Sequence, residues 1–240
     1  MTRNVLVTGA ALRLGREIAV CLARAGWGVV IHANRSADAA EKLCRTLRAE
    51  DCSACTVKGD LLAASGADSV FAQALGSAGQ LDALVNNAAV FERQPLRSAA
   101  PEDFERLWRI NALAPIRLSL LLAEHLSARQ SRGAVVNLLD QRVAHAGAGA
   151  VPYLLSKKFL ENFTVSAALE LGGEVRVNAV APGAVLRPSA ATEPAGFFPA
   201  GERPAPIRIA EAVRYLLEAD GVTGQTLYVD GGQHLVALRH

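Results

Sequence analysis

The chain has 240 residues, 51% of them hydrophobic, which suffices for a sizeable buried core and fits one large α/β domain spanning residues 1–240. A formal charge of +2, scattered along the chain, excludes a nucleic-acid footprint or a polybasic membrane patch and leaves small or anionic molecules as the natural ligands. No apolar run approaches a bilayer span, and the first residues enter a strand-like run with no secretory signal, so a soluble cytoplasmic protein is expected, with no nucleic acid and no membrane among its partners.

Short apolar runs at 5–7, 28–31, 55–57, 83–85, 134–138, 175–180 and 226–229 read as strands. Between them lie helical patterns, among them 14–25, 37–48, 101–127 and 153–171. This alternation predicts βαβ units: a parallel sheet, helices on both faces, and ligands outside the carboxyl ends of the strands. The stretch 183–206, rich in Pro, Ala and Gly, is read as a long substrate loop, with Arg187, Phe197 and Phe198 placed to shape a pocket.

The four cysteines are Cys21, Cys44, Cys52 and Cys55. Cys52-Ser-Ala-Cys55 has redox or metal spacing, but no second ligand pair accompanies it, and ordinary thiols in a reducing compartment are expected. The five histidines are dispersed, so no metal site is expected.

The first strand runs directly into Thr8-Gly-Ala-Ala-Leu-Arg-Leu-Gly15, which opens the first helix. Glycines in that context, Gly9 and Gly15, permit a tight turn and close approach of backbone amides to a pyrophosphate, with Arg13 and Leu14 beside it. At the end of the second strand stand His32, Asn34, Arg35 and Ser36. An acidic residue there would bind a free ribose 2′-hydroxyl, whereas Arg35 and Ser36 offer a guanidinium fork and a hydroxyl to a 2′-phosphate, which favours NADP(H). Asp60 and Leu61 follow the third strand, where adenine is expected, and Asn87, Ala88 and Ala89 follow the fourth, on the nicotinamide ribose side.

Tyr153 and Lys157 stand at i and i+4 and therefore on one face of a helix. An ammonium beside a phenol favours the phenolate and brings its pKa of ~10 towards working pH, as a general acid or base requires. Asp140 stands upstream as a second proton-carrying group.

Together these residues resemble the short-chain dehydrogenase/reductase family over essentially the whole chain. The match includes the glycine loop, Asn86-Asn-Ala, Asn111, Tyr153-x-x-x-Lys157, Pro182-Gly183 and the closing Gly224 to Gly232 segment. The resemblance implies a Rossmann-type, doubly wound parallel sheet of about seven strands flanked by helices, a nicotinamide cofactor contacted by Tyr153, Lys157, Pro182 and Gly183, and a homotetramer. Arg13 stands where the family usually has glycine, and Asp140 where it usually has serine. Both departures, with His32-Ala-Asn-Arg-Ser36, look like the pteridine reductase branch. Phe91 falls where that branch stacks a pterin ring, although a core phenylalanine is the plain alternative.

The resemblance thus implies NADPH-dependent hydride transfer to a dihydropterin, dihydrobiopterin, dihydromonapterin or dihydrofolate. Asp140 is the expected proton donor, Tyr153 orients substrate or relays the proton, Lys157 holds the nicotinamide ribose and lowers the Tyr153 pKa, Asn111 orders water behind Lys157, and Arg13 reaches the pyrophosphate and an acidic substrate edge. Reduction of another imine or a carbonyl, including a 3-oxoacyl group, is the competing reading, and a non-catalytic NADP-binding regulator the third.

Overall fold

The computed structural model describes residues 2–185 and 197–236. Arg187 and much of the expected substrate loop lie outside the described residues.

Seven strands form one sheet in the order β3-β2-β1-β4-β5-β6-β7. They are β1 (Asn4–Val7), β2 (Gly28–Ala33), β3 (Ala54–Lys58), β4 (Ala83–Asn86), β5 (Gly133–Leu138), β6 (Val175–Pro182) and β7 (Thr226–Val229). Every pairing is parallel. All residues of β2 and β4 are buried, as uninterrupted apolar runs covered by helices on both faces require.

Helices α1 (Arg13–Arg24), α2 (Ala37–Ala49) and α7 (Pro206–Glu218) close one core against the sheet. The opposite core packs α3 (Gly66–Ala78), α5 (Ala114–Ala128) and α6 (Val151–Glu170) around Leu6, Leu84 and Val135. Chain reversal from the β1-β2-β3 half to the β4-β5-β6 half falls between β1 and β4, so the loops after those strands diverge and leave a crevice at their carboxyl ends.

The helical run expected over 101–127 is continuous but carries a π-helical turn (Arg109–Leu113) between α4 (Pro101–Trp108) and α5. Pro115 explains part of this turn, since it has no N–H to give the carbonyl four residues back, that of Asn111. The π turn widens the helix at Asn111, and such turns recur at functional sites. Among the described parts of 183–206, residues 197–205 carry no helix or strand before Pro206 opens α7.

Candidate active site

The turn between β1 and α1 is fixed by close contacts that tolerate few substitutions. Gly9 has φ of +62°, and a Cβ on Gly15 would lie 2.2 Å from the Gly9 carbonyl oxygen. Thr8 Oγ1 accepts from the amides of Asn87 and Ala88, each at 3.0 Å, and Asn87 Nδ2 donates to the carbonyls of Thr8 and Gly9 at 2.8 and 3.1 Å. The loops after β1 and β4 are thereby tied into one wall. Arg13 also sits in the left-handed region, at φ +53°, where a residue with a Cβ is held at a cost of order 1 kcal/mol.

His32 lines the cleft described below and also braces its loops. It is buried, accepts from the Gly9 amide at Nδ1 (3.1 Å) and contacts the Gly59 carbonyl through Nε2 at 3.1 Å, which makes Nε2 the protonated nitrogen. Burial holds its pKa below the ordinary value, which favours the neutral ring as a strut between the two loops.

Two adjoining clefts run along these loops. The first, of about 410 Å³, is lined by Gly9, Arg13, Leu14, Gly15, His32, Asn34, Asp60, Leu61, Asn87, Ala88 and Ala89. The second, of about 480 Å³, adds Arg35 and Ser36 and shares Gly9, Asn34 and Asp60. Ser36 stands at the N-cap of α2 with its hydroxyl making no capping bond, which leaves that hydroxyl and the helix N-terminus available to an anion. The cradle that a Cβ at Gly15 would fill, and the guanidinium and hydroxyl at its far end, fit an extended dinucleotide with a terminal phosphate. Asp60 Oδ1 is engaged by the Leu62 amide at 3.0 Å, and the same wall carries Val90, Ile110 and the Arg106–Glu92 ion pair, which spacing alone does not mark. Pro182 and Gly183 line neither cleft: Gly183 packs against Asp230 and Gln233, where a Cβ would lie 2.6 Å from Gln233 Oε1.

Asp140 and Tyr153 meet. The strand β5 ends at Leu138, Asp140 follows it, and Tyr153 enters from the first turn of α6 to donate its hydroxyl to Asp140 Oδ2 at 3.0 Å. Asp140 Oδ1 accepts from the Arg142 amide at 2.9 Å, with the Arg142 guanidinium 3.8 Å away. Lys157 lies deeper on the same helix, 2% exposed, and donates to the Leu138 carbonyl at 2.7 Å.

The expected lowering of the Tyr153 pKa by Lys157 is overturned. Burial first, then the Asp140 carboxylate, raise the phenol well above its usual value, and only Arg142 opposes them. The Lys157 ammonium is turned to a carbonyl instead. Its own pKa is lowered by burial to about 8, with Asp140 partly restoring the charge.

Asn111 holds the segment after β4 through its side chain: Oδ1 accepts from the Val90 amide at 2.8 Å and Nδ2 donates to the Val90 carbonyl at 3.0 Å. Nδ2 also reaches Ser156 Oγ at 3.1 Å, whose hydroxyl donates to the Tyr153 carbonyl at 2.6 Å. The side chain of Asn111 is thus occupied in positioning Tyr153.

Phe91 is 46% exposed and lies edge-to-face with Tyr153, ring centroids 4.8 Å apart. That exposure overturns the core alternative. Arg142 lies over the ring, its guanidinium carbon 5.0 Å from the centroid. Beyond it opens a cavity of about 730 Å³, lined by Gln141 and Leu154, the chain neighbours of Asp140 and Tyr153, and by Arg142, Arg93 and Phe197.

The sequence pattern of the family described as short chain dehydrogenase matches residues 3–195. The chain belongs to that family. Among its relatives, human L-xylulose reductase is 35% identical over 242 residues, 96% of each chain. The 3-oxoacyl-acyl-carrier-protein reductase of Staphylococcus aureus is 28% identical over 245 residues, 98% of this chain and 99% of that one. Among solved structures, the FolM alternative dihydrofolate reductase 1 of Brucella canis, complexed with NADP, superposes with a TM-score of 0.92 at 34% identity, over 98% of this chain and 95% of that one. As a short-chain dehydrogenase the chain is an NAD(P)-dependent oxidoreductase of small molecules, its seven-stranded sheet that of its structural neighbours. Among the described residues no helix is long and apolar enough to cross a membrane, and no cluster of His, Cys, Asp and Glu is arranged to hold a metal ion.

Proposed function

We propose that this short-chain dehydrogenase is an NADPH-dependent reductase of dihydropterins, a class that includes dihydrobiopterin, dihydromonapterin and dihydrofolate. The observation that carries the reading is the 3.0 Å bond from Tyr153 to Asp140, an acid-phenol pair at the position where a carbonyl reductase of the family uses serine. A serine hydroxyl suits an oxygen becoming an alkoxide, whereas a C=N bond needs a proton delivered to nitrogen as hydride arrives on carbon. The likeness to a dihydrofolate reductase crystallised with NADP supports the same reading.

The nicotinamide, when bound, supplies the hydride. Gly9, Arg13 and Gly15 hold the pyrophosphate, Arg35 and Ser36 the 2′-phosphate, Asp60 and Leu61 flank the adenine, and Asn87, Ala88 and Ala89 line the way to the ribose. Tyr153, kept protonated by burial and by Asp140, directs its proton to Asp140 Oδ2. Asp140 takes a proton from solvent and gives it to the ring nitrogen as the hydride reaches carbon, returning to a carboxylate that the Tyr153 hydroxyl holds through Oδ2, with Arg142 and Lys157 nearby to offset its charge. Phe91 presents an exposed face for the pterin ring next to this pair.

The test is NADPH oxidation by the purified protein with dihydropterins, quinones and 3-oxoacyl thioesters in parallel. Turnover with a dihydropterin at a kcat/KM at least tenfold above the carbonyl substrates is expected; no oxidation with any pterin would sink the reading. The likeness to 3-oxoacyl and L-xylulose reductases favours a carbonyl substrate as the second reading.

We further propose self-association, as a homotetramer, in the reducing cytoplasm. Trp108, Leu155 and Phe159 are exposed together along α4 and α6, with Trp108 and Phe159 edge-to-face at 5.6 Å, an apolar surface suited to a second copy. The four cysteines are free thiols, as that compartment would keep them. Light scattering on the protein and on Phe159→Asp reads the first point: a monomeric native protein would overturn it.

A further inference from the structure

Phe91 is an exposed ring on residues 87–93, which carry neither helix nor strand between β4 and the bridge at Gln94. Such a ring keeps one position only if the backbone on both sides of it is tied down. On one side the tie is Asn111, which bonds both the amide and the carbonyl of Val90. On the other it is Glu92, whose two carboxylate oxygens accept from Arg106, one through Nη1 at 2.9 Å and one through Nη2. Neither Glu92 nor Arg106 takes part in the proton delivery described for Asp140.

Both ties come from one stretch of helix. Arg106 lies in α4 and Asn111 in the π turn that follows, and the five-residue repeat of such a turn sets side chains at i and i+5 towards the same segment. Asp103 extends the hold: its carboxylate lies 3.6 Å from the Arg106 guanidinium and accepts from Gln94 Nε2 at 2.7 Å. The hydrogen bond from Arg106 is the main reason that the Glu92 carboxyl sits below the ordinary carboxylate range, so the pair is ionised at neutral pH. A lone ion pair at this exposure contributes little, but a two-bond fork backed by a second carboxylate fixes a geometry.

We propose that the Arg106–Glu92 pair is the positioning device for Phe91, setting the place of the ring against Tyr153 and thereby the affinity for a flat substrate ring stacked on it. The two ring centroids are only 4.8 Å apart, so a displacement of the backbone at Glu92 changes the width of the ring site directly. The same fork lines the cleft that carries Arg35 and Ser36, so one pair of side chains borders the cofactor and holds the surface that receives the substrate. The inference rests on the reading of Phe91 as the substrate's stacking surface and adds the residues that keep it there.

The test combines steady-state NADPH oxidation with binding of oxidised biopterin to NADP-loaded protein, followed by pterin fluorescence. Glu92→Gln removes the fork and leaves Arg106 its contact with Asp103. KM for the dihydropterin and Kd for biopterin are expected to rise about three- to tenfold, with a smaller change in kcat. In a Phe91→Ala background the same substitution should add less than about twofold, because the ring it positions is gone, and Glu92→Gln/Arg106→Gln should be no worse than Glu92→Gln alone. NADPH binding confirms that each variant is folded. Unchanged biopterin affinity in Glu92→Gln, an effect that persists in full without the Phe91 ring, or a loss of kcat at constant KM would overturn the inference while leaving dihydropterin turnover by the native protein, and so the proposed function, intact. If the native protein reduces a carbonyl compound and no pterin, the proposed function falls, and the same cycle read on the KM of that compound decides the inference: a Glu92 effect that requires Phe91 keeps it, and any other result removes it.

Discussion

The Tyr153 hydroxyl donates to Asp140 Oδ2 at 3.0 Å, so the phenol holds one oxygen of the carboxylate at the reactive end of the sheet. Replacing Asp140 by Asn keeps the size and removes the group that delivers the proton. We expect kcat for dihydropterin reduction to fall by about 10²- to 10⁴-fold, read by single-turnover NADPH oxidation. Asp140→Ser should lose pterin reduction as severely and gain activity on carbonyl substrates. An Asp140→Asn enzyme within threefold of native would show that Tyr153 works without it.

Burial of Lys157 bears on stability as well as chemistry. With a folded pKa of about 8 against an ordinary 10.5, the folded protein below pH 8 carries an ammonium that burial disfavours. Between pH 8 and 10.5 the folded state has released that proton while the unfolded chain still holds it, so this group makes stability rise with pH across the window. Lys157→Met should therefore stabilise the cofactor-free protein by roughly 3 kcal/mol at pH 7, with the gain vanishing near pH 10.5, while abolishing turnover. Denaturant unfolding at a series of pH values checks the sign.

Arg13 and Gly15 make opposite predictions in one turn. Arg13→Gly removes a left-handed residue with a Cβ and should raise stability by up to about 1 kcal/mol, whereas Arg13→Ala should not. Both should weaken NADPH binding if the guanidinium meets the pyrophosphate. Gly15→Ala drives a Cβ to 2.2 Å from the Gly9 carbonyl and should abolish NADPH binding. Thermal melts with and without NADPH separate these outcomes, and retention of full NADPH affinity in Arg13→Gly would place the side chain elsewhere.

Cofactor choice follows from Arg35. Arg35→Asp exchanges a donor fork for an acceptor of a 2′-hydroxyl and should shift the ratio of kcat/KM for NADPH over NADH by at least about tenfold towards NADH. An unchanged ratio would assign the 2′-phosphate to other groups of the cleft, such as Ser36.

Much of the fold was readable because each strand is a short apolar run whose position depends on local residues alone. The run at 226–229 coincides with β7, and the others fall within one or two residues of the observed strands. The helical run 101–127 was legible, but the π turn inside it was not, because periodicity is blind to a widened turn. The role of His32 was equally hidden. Its two hydrogen bonds reach Gly9 and Gly59, residues 23 and 27 positions away, and no spacing rule joins them.

By itself the sequence determined the parallel α/β architecture, the glycine loop, the basic end of the second strand and the set of groups able to carry a proton, because each is written in residues close together in the chain. Tertiary structure alone decided what those groups do to one another. A pKa depends on burial and on neighbours in space: folding turns Lys157 to the Leu138 carbonyl, sets Asp140 against the Tyr153 phenol, and so raises the phenol that sequence spacing would have lowered. Only the fold also sets Arg142 over the exposed ring of Phe91, because β5 and the segment after β4 end side by side at one edge of the crevice.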